Sequence, residues 1–314
     1  MLRAYLKDNG PATQFVFSLM IVIAAWLIFQ LLALLTGSLL FGIGFNEIQP
    51  ALTNLSDPVS IAYQKYLQSI ISLGMFIIAP LVAVFFLSDN MRAFLRTGFY
   101  PGTAVSLLVA LVMVLALPMN NYFTYLNSLF DAAGISEGLQ NYFESREAQA
   151  EKVFEGFLKV TGIMPLLINI LIIAVIPAIG EELLFRGVLQ NILIKWTKNT
   201  FAGVFITSLA FALLHFQFLS VLPRFILGMV LGYIFVWTRS LWMPVLAHFV
   251  NNAFAVVYYY LLYNGYVGGE IENIGKPEHA PLYAILSMAI TGILLIAIRG
   301  LMTGKFSRSQ HEIY

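Results

Sequence analysis

Apolar residues run through this chain in long uninterrupted stretches, with polar residues gathered in short segments between them. A helix needs about 20 apolar residues to cross a bilayer. Eight segments approach that pattern: 14–36, 66–87, 102–126, 164–196, 200–216, 223–237, 242–263 and 281–298. The fourth is longer than a crossing requires, and the fifth and sixth are shorter. Turn residues separate most of them, around Gln49-Pro50, Asp57-Pro58, Tyr100-Pro101-Gly102 and Gly268-Gly269. The predicted fold is therefore all-α, a polytopic membrane protein of about eight transmembrane helices. One stretch departs from the pattern. In 137–160, Leu139, Tyr142, Phe143, Val153, Phe154, Phe157 and Leu158 recur at helical spacing among acidic residues. That predicts an amphipathic surface helix, either a solvated connector or a lid over a site.

Composition agrees with the pattern. The chain has 314 residues, 60% of them hydrophobic and 11% charged, with a mean hydropathy of +0.83. The net charge of +1 points away from nucleic acid. The chain has no cysteine, which removes disulfides, thiolate metal ligands and a thiol nucleophile. The first apolar run, Phe15 to Leu35, is too long for the core of a signal peptide and reads as a retained helix in contact with the lipid bilayer.

Charge sets an orientation. Segments 1–12, 88–101, 186–199, 238–241 and 299–314 are net positive, while 37–65, 127–163 and 264–280 are net negative. The alternation fits eight crossings with both termini cytoplasmic. Those segments hold 30 of the 33 Asp, Glu, Lys and Arg residues. The other three are Glu181, Glu182 and Arg224, and His215 and His248 also fall in apolar runs. A charge at the bilayer centre costs at least about 2.5 kcal/mol, so intramembrane ionisable residues point to function.

Spacing divides these residues. Thr197 to Thr200 reads as the tip of a helical hairpin, with Glu181 and His215 equidistant from it. His248 lies about seven residues into the seventh helix, roughly 10 Å from its start. The three meet only if the hairpin protrudes from the bilayer. Glu182 and Arg186 are i,i+4 neighbours in the favourable order for an ion pair, and Glu181 points about 100° away. Phe211 and His215 share a helix face, as do His248 and Asn252. Arg224, after Pro223, is expected to snorkel to the interface. Each feature has a plain structural explanation as well: a lone membrane histidine or asparagine commonly bonds one helix to another.

Glu-Glu-x-x-x-Arg at 181–186, Phe-x-x-x-His at 211–215 and His-x-x-x-Asn at 248–252 together resemble the CAAX protease and bacteriocin-processing (CPBP) family of intramembrane proteases. The resemblance covers about residues 160–264 and none is apparent in 1–150. It implies a four-helix catalytic core and hydrolysis of a peptide bond in a membrane-associated protein or peptide. Glu181 would act as general base on water, and His215 would hold that water. His248 and Asn252 would donate to the developing oxyanion, with Glu182, Arg186 and Phe211 in support. The family is often labelled metalloprotease, and Glu181, His215 and His248 could supply three zinc ligands. The His-Glu-x-x-His signature is absent, so metal-independent hydrolysis is the favoured expectation. Two other readings stay open: a non-catalytic scaffold or immunity factor of the same fold, and a proton-coupled transporter. The expected division is 1–130 for helices one to three, 131–163 for the connector, 164–264 for the core, and 265–314 for the last helix and tail.

Overall fold

The computed structural model describes residues 3–131 and 137–311. Residues 132–136 of the expected connector, residues 1 and 2, and the end of the tail at 312–314 lie outside the described residues. Among the described residues the fold is helical, with no strand. The principal helices are α1 (Pro11–Phe41), α2 (Pro58–Leu87), α3 (Thr103–Leu115), α4 (Leu117–Asp131) and α5 (Glu137–Leu158). They continue with α6 (Ile163–Thr197), α7 (Thr200–Leu213), α8 (Val221–Thr238), α9 (Trp242–Tyr263) and α10 (Leu282–His311). Six of these are long and apolar enough to cross a membrane, and α3 with α4 forms a seventh candidate bent by 42°. The eighth apolar helix, α7, has only 14 residues. The protein is an integral multi-pass membrane protein.

The expected segment 200–216 stops being helical at Leu213 for a local reason. The His215 ring bonds the carbonyl of Phe211 at 2.7 Å, and Phe216 takes a positive φ of 52°. His215 therefore sits in the turn after α7 rather than inside a helix. At the other end of α7 the hairpin is as expected. Lys198 adopts the left-handed conformation that ends α6, and the Asn199 side chain caps α7 by accepting from Ala202 N at 3.1 Å.

Helix α6 has 35 residues, about 52 Å at 1.5 Å per residue, against a hydrocarbon core of about 30 Å. It is not a uniform α-helix. Residues Ile170–Val175 form a π-helical segment just ahead of Pro177, and in α2 the segment Leu73–Ile78 does the same ahead of Pro80. Proline has no N–H for the carbonyl four residues earlier and its ring crowds that carbonyl, so the preceding turn widens. A third π-helical segment, Leu183–Gln190, has no proline to explain it.

Without a strong hydrophobic drive between helices in lipid, small residues that allow close approach decide where they meet. Helix α8 carries Gly228-x-x-x-Gly232 and lies against α7 at Val204 and Ser208. A Cβ at Gly232 would stand 2.7 Å from Val204 Cγ1, and one at Gly228 3.0 Å from Ser208 Cβ. The same carbonyls hold α6: Arg186 donates to Gly228 O at 3.0 Å and Gln190 to Gly232 O at 3.1 Å. Residue 180 works similarly, since a Cβ at Gly180 would meet Phe76 Cβ at 2.7 Å where α6 crosses α2. These contacts fix α6 on three sides around Glu181 and Glu182. Apolar packing of Val84 and Leu87 of α2, Leu183, Val188 and Ile192 of α6 and Phe235 of α8 completes that core.

Helix α5 is the expected amphipathic element, packed at both ends. Phe157 and Leu158 are buried, Phe154 meets Tyr259 edge-on, and Phe143 lies 4.3 Å from Phe218 in the loop after His215. Leu139 and Tyr142 remain exposed.

Candidate active site

Helix α6 brings Glu181, Glu182 and Arg186 to the centre of the bundle. Glu182 and Arg186 are fully buried and paired, Oε1 to a guanidinium nitrogen at 2.8 Å. The Arg186 guanidinium lies over the Phe211 ring, 4.9 Å from its centroid. Gly228 O and the aromatic face supply part of what a buried pair needs, while Glu182 Oε2 and Arg186 Nε are buried without a hydrogen-bond partner.

The pair has a third member that helical spacing did not predict. His248 Nδ1 lies 2.8 Å from the same Glu182 Oε1. A carboxylate paired with arginine can only accept, so Nδ1 carries a proton and donates to it. His215 Nδ1 likewise donates to the Phe211 carbonyl at 2.7 Å. In their neutral forms both imidazoles therefore present an Nε2 lone pair. His248 donates through Nε2 only as the imidazolium.

Glu181 points away from the Glu182–Arg186 pair, as the helical phase required. Its Oε2 lies 3.9 Å from His248 Nε2, too far for a direct hydrogen bond, and that oxygen is buried without a protein partner. The side chain keeps 14% of its accessible surface. Both imidazole rings pack against Phe211, His215 at 5.0 Å and His248 at 5.9 Å between ring centres. One aromatic ring thus spaces Arg186, His215 and His248 around it. The meeting of Glu181 with His248 has the expected consequence for depth. Glu181 lies 16 residues before the end of α6 and His248 six after the start of α9, so the hairpin extends roughly 15 Å past that start.

Asn252 and Arg224 are each bonded to groups of a neighbouring segment. Asn252 Nδ2 donates to the Ile173 carbonyl at 3.1 Å, and its Oδ1 accepts from Asn251 Nδ2 at 3.0 Å. Ile173 is the residue four before Pro177, so Asn252 serves the carbonyl that the proline deprives of its α-helical donor. One amide proton remains for other work. Arg224 reaches toward the loop that precedes α8. Its guanidinium is folded onto Gln217, with bonds to the backbone and side-chain oxygens at 3.3 and 2.5 Å. It stays within electrostatic reach of Glu181 and of Glu147 on α5, because the loop after His215 holds it there. Glu147 in turn accepts from Ser220 Oγ at 2.6 Å. Spacing within single helices carried no sign of the Glu182–His248 bond, of Asn251 or of Glu147. Pro177 and the Gly228–Gly232 pair were visible signals of close contacts.

By donor chemistry Glu181, His215 and His248 qualify as metal ligands, with Glu182 and Phe211 O fixing the two imidazoles from behind. By placement they do not gather: among the described residues no group of three or more His, Asp or Glu side chains is arranged to hold a metal ion. No step below is routed through a metal.

The sequence profile of the type II CAAX prenyl endopeptidase Rce1-like proteins matches residues 163–254, from the first residue of α6 into α9. That span contains every side chain of the cluster just described. The match supports the CPBP family for this part of the chain. Among curated proteins the chain resembles the Bacillus subtilis (strain 168) protein named "Putative membrane peptidase YdiL". That likeness is 26% identity over 236 residues, 75% of this chain and 86% of the relative. An alignment of that length cannot begin later than residue 79, so the likeness reaches into α2, earlier than the motifs alone indicated. The chain is also 31% identical to the membrane-embedded CAAX protease MroQ of Staphylococcus aureus (strain USA300) over 96 residues, 29% of this chain and 39% of that one. It is 38% identical to the uncharacterized B. subtilis protein YpbD over 89 residues, 27% and 42% of the two chains. No solved structure gives a significant match.

Proposed function

We propose that this protein is an intramembrane endopeptidase that hydrolyses a peptide bond of a membrane-associated protein or peptide with water activated by Glu181. The observation that supports it best is the facing of Glu181 Oε2 and His248 Nε2 across 3.9 Å, with the far side of the His248 ring bonded to Glu182. Charge balance sharpens the roles. A low-dielectric site disfavours net charge. With Arg224 offset by Glu147, the two carboxylates Glu181 and Glu182 and the one guanidinium of Arg186 leave a single negative charge, which one proton neutralises. Glu182 is committed to Arg186, so that proton rests on Glu181 or on His248.

With the proton on His248, Glu181 is a carboxylate and His248 a donor. Glu181 takes a proton from water as the water oxygen bonds to the scissile carbonyl carbon. The His248 imidazolium, held by Glu182, donates to the carbonyl oxygen as it becomes negative. Glu181 then passes its proton to the leaving nitrogen as the C–N bond breaks, giving a carboxylic acid and an amine. His215 Nε2 accepts a hydrogen bond from the attacking water. The free amide proton of Asn252 is available to the same oxyanion. A mostly apolar cavity of about 240 Å³, lined by Met113, Leu117, Ile226 and Phe254 and also by Asn120, Asn251 and Glu272, reaches the neighbour of Asn252 and suits a substrate side chain.

The test compares membranes carrying the wild-type chain with those carrying Glu181→Gln, reading new protein termini by mass spectrometry and repeating the cleavage with purified protein. Glu181→Gln and His248→Ala are expected to lower turnover at least about 100-fold. Cleavage that survives both overturns the peptidase reading and supports the scaffold. Cleavage lost to chelators and restored by zinc overturns the metal-free mechanism. We place both termini in the cytoplasm on the alternation of loop charge, and single cysteines introduced into this cysteine-free chain test the side directly.

A further inference from the structure

The cavity that reaches Asn251 continues along one face of α9. Asn251, Phe254, Ala255, Tyr258 and Tyr259 line it, a stretch of about 12 Å of helix. The walls opposite come from the α3–α4 bend and from α8, and they are apolar: Met113, Leu117, Ile226, Leu227 and Val230. At one end Asn251, half-buried, is bonded to Asn252 at 3.0 Å. At the mouth stand Asn120 and Glu272, both exposed. Glu272 is the one charged side chain among the lining residues.

The place of Glu272 is fixed by packing. Its loop, between α9 and α10, is held on α4 by the buried Asn121 side chain, which donates to Ile271 O at 2.8 Å and to Ile274 O at 3.0 Å. Gly275 seats the same loop, with a φ of 96° that a side chain would strain, and a Cβ there would collide with Pro118 O. From the cavity wall, Tyr258 Oη donates to Gly268 O at 3.3 Å. Among the described residues no lysine, arginine or histidine forms an ion pair with Glu272. Lys276, four residues on, is turned to Asn273 Oδ1 at 2.9 Å. Glu270 adds to the field, since it and Glu272 both lie within electrostatic reach of the Tyr258 hydroxyl. The sign persists over a larger area: segments 264–280 and 127–163 carry net charges of −2 and −3. A held carboxylate at the mouth of an apolar cleft, inside a negative rim, concentrates potential for a cation.

We propose that this cavity receives the substrate chain on one side of the scissile bond and that Glu272 selects a lysine or arginine there. A lysine or arginine fits both parts of the cleft, its methylene stem on the apolar wall and its charged head at the mouth. From Asn251 to Tyr258 the helix rises about 10 Å, the length of about three extended residues. The cation therefore falls about three residues from the bond that is cut. The selection rests on the peptidase reading for its use, so its test reads binding apart from cleavage.

The probes are peptides of leucine and alanine, blocked at both ends, that carry one lysine, one norleucine or one glutamate at the same position. Binding to the full-length Glu181→Gln chain in detergent is measured by calorimetry at low ionic strength. The lysine peptide is expected to bind about fivefold tighter than the norleucine peptide, and the glutamate peptide more weakly than either. Adding Glu272→Gln should erase the lysine advantage and leave norleucine affinity in place. Adding Glu278→Gln, which removes a charge from the same loop outside the cavity, should leave the advantage intact. Equal binding of lysine and norleucine peptides, an advantage that survives Glu272→Gln, or an equal loss in Glu278→Gln overturns the selection. The wild-type chain is then given the same peptides. Cleavage without preference for lysine overturns the selection while the peptidase reading stands. A lysine advantage in binding that Glu272→Gln erases, with no peptide cut, supports the cation site and counts against the peptidase reading alone.

Discussion

Asn252→Ala should destabilise the protein through Ile173, and Pro177→Ala should remove most of that effect. The two residues lie on different helices and are joined by one carbonyl. Pro177 withholds the N–H that an α-helix would give Ile173 O, and Asn252 Nδ2 supplies a donor at 3.1 Å. Interhelical hydrogen bonds in membranes average about 0.6 kcal/mol and reach about 1.7. A carbonyl left unsatisfied in a buried setting costs about 1–3 kcal/mol. Asn252→Ala alone should therefore cost about 1–2 kcal/mol, which is about a 5- to 30-fold change in the folding constant. In the Pro177→Ala background the backbone at 177 regains its N–H and the cost should fall to about 0.5 kcal/mol or less. The assay is equilibrium unfolding of all four chains in mixed micelles, read as a double-mutant cycle. Costs that simply add refute the reasoning, and they would mean that Ile173 O has a sufficient partner of its own. Cleavage measured on the same four chains separates the structural bond of Asn252 from its proposed part in the reaction. If stability returns in the double variant and turnover does not, the second amide proton acts on the reacting groups.

Three further outcomes follow from the same geometry. Arg186→Met leaves Glu182 buried without its cation and should cost about 3–5 kcal/mol, measured by the same unfolding assay. Gly232→Ala drives a Cβ to 2.7 Å from Val204 and 2.9 Å from Gln190 Oε1, and should cost about 1–3 kcal/mol by overpacking α7, α6 and α8. Asp57 caps α2 by accepting from Ser60 N and Oγ, which holds its carboxyl below the ordinary value of 3.8. A depressed folded pKa contributes stability above the unfolded value that is lost as pH falls through the folded one, so the melting difference between wild type and Asp57→Ala should be constant near neutrality and vanish at pH below 3.8.

How far the sequence carried depends on whether the cause of a feature is local. The crossings were legible because the bilayer imposes a length on every apolar run. The exception, α7, ends early because one side chain, His215, bonds back to its own helix. Glu181 and Glu182 stood out in the sequence by scarcity, since few other charges fall within the apolar runs. The division between them followed from a helical phase of 100°, and the structure keeps it. What was not legible is the pairing of Glu182 with His248, which lies 66 residues away and needs three helices to be rotated and shifted together. That shift is set by contacts with little outward sign of chemistry: Gly180 on Phe76, Gly228 and Gly232 on α7, and two side chains of α6 bonded to the carbonyls of those glycines. The same contacts explain why the tie matters. Glu182 fixes His248 Nδ1 as a donor, so the ring faces Glu181 with the one nitrogen whose proton can move. On the proposed reading the pair of acids is a single proton-holding device with unequal halves, and the glycines that let the helices approach set its geometry as much as the carboxylates do.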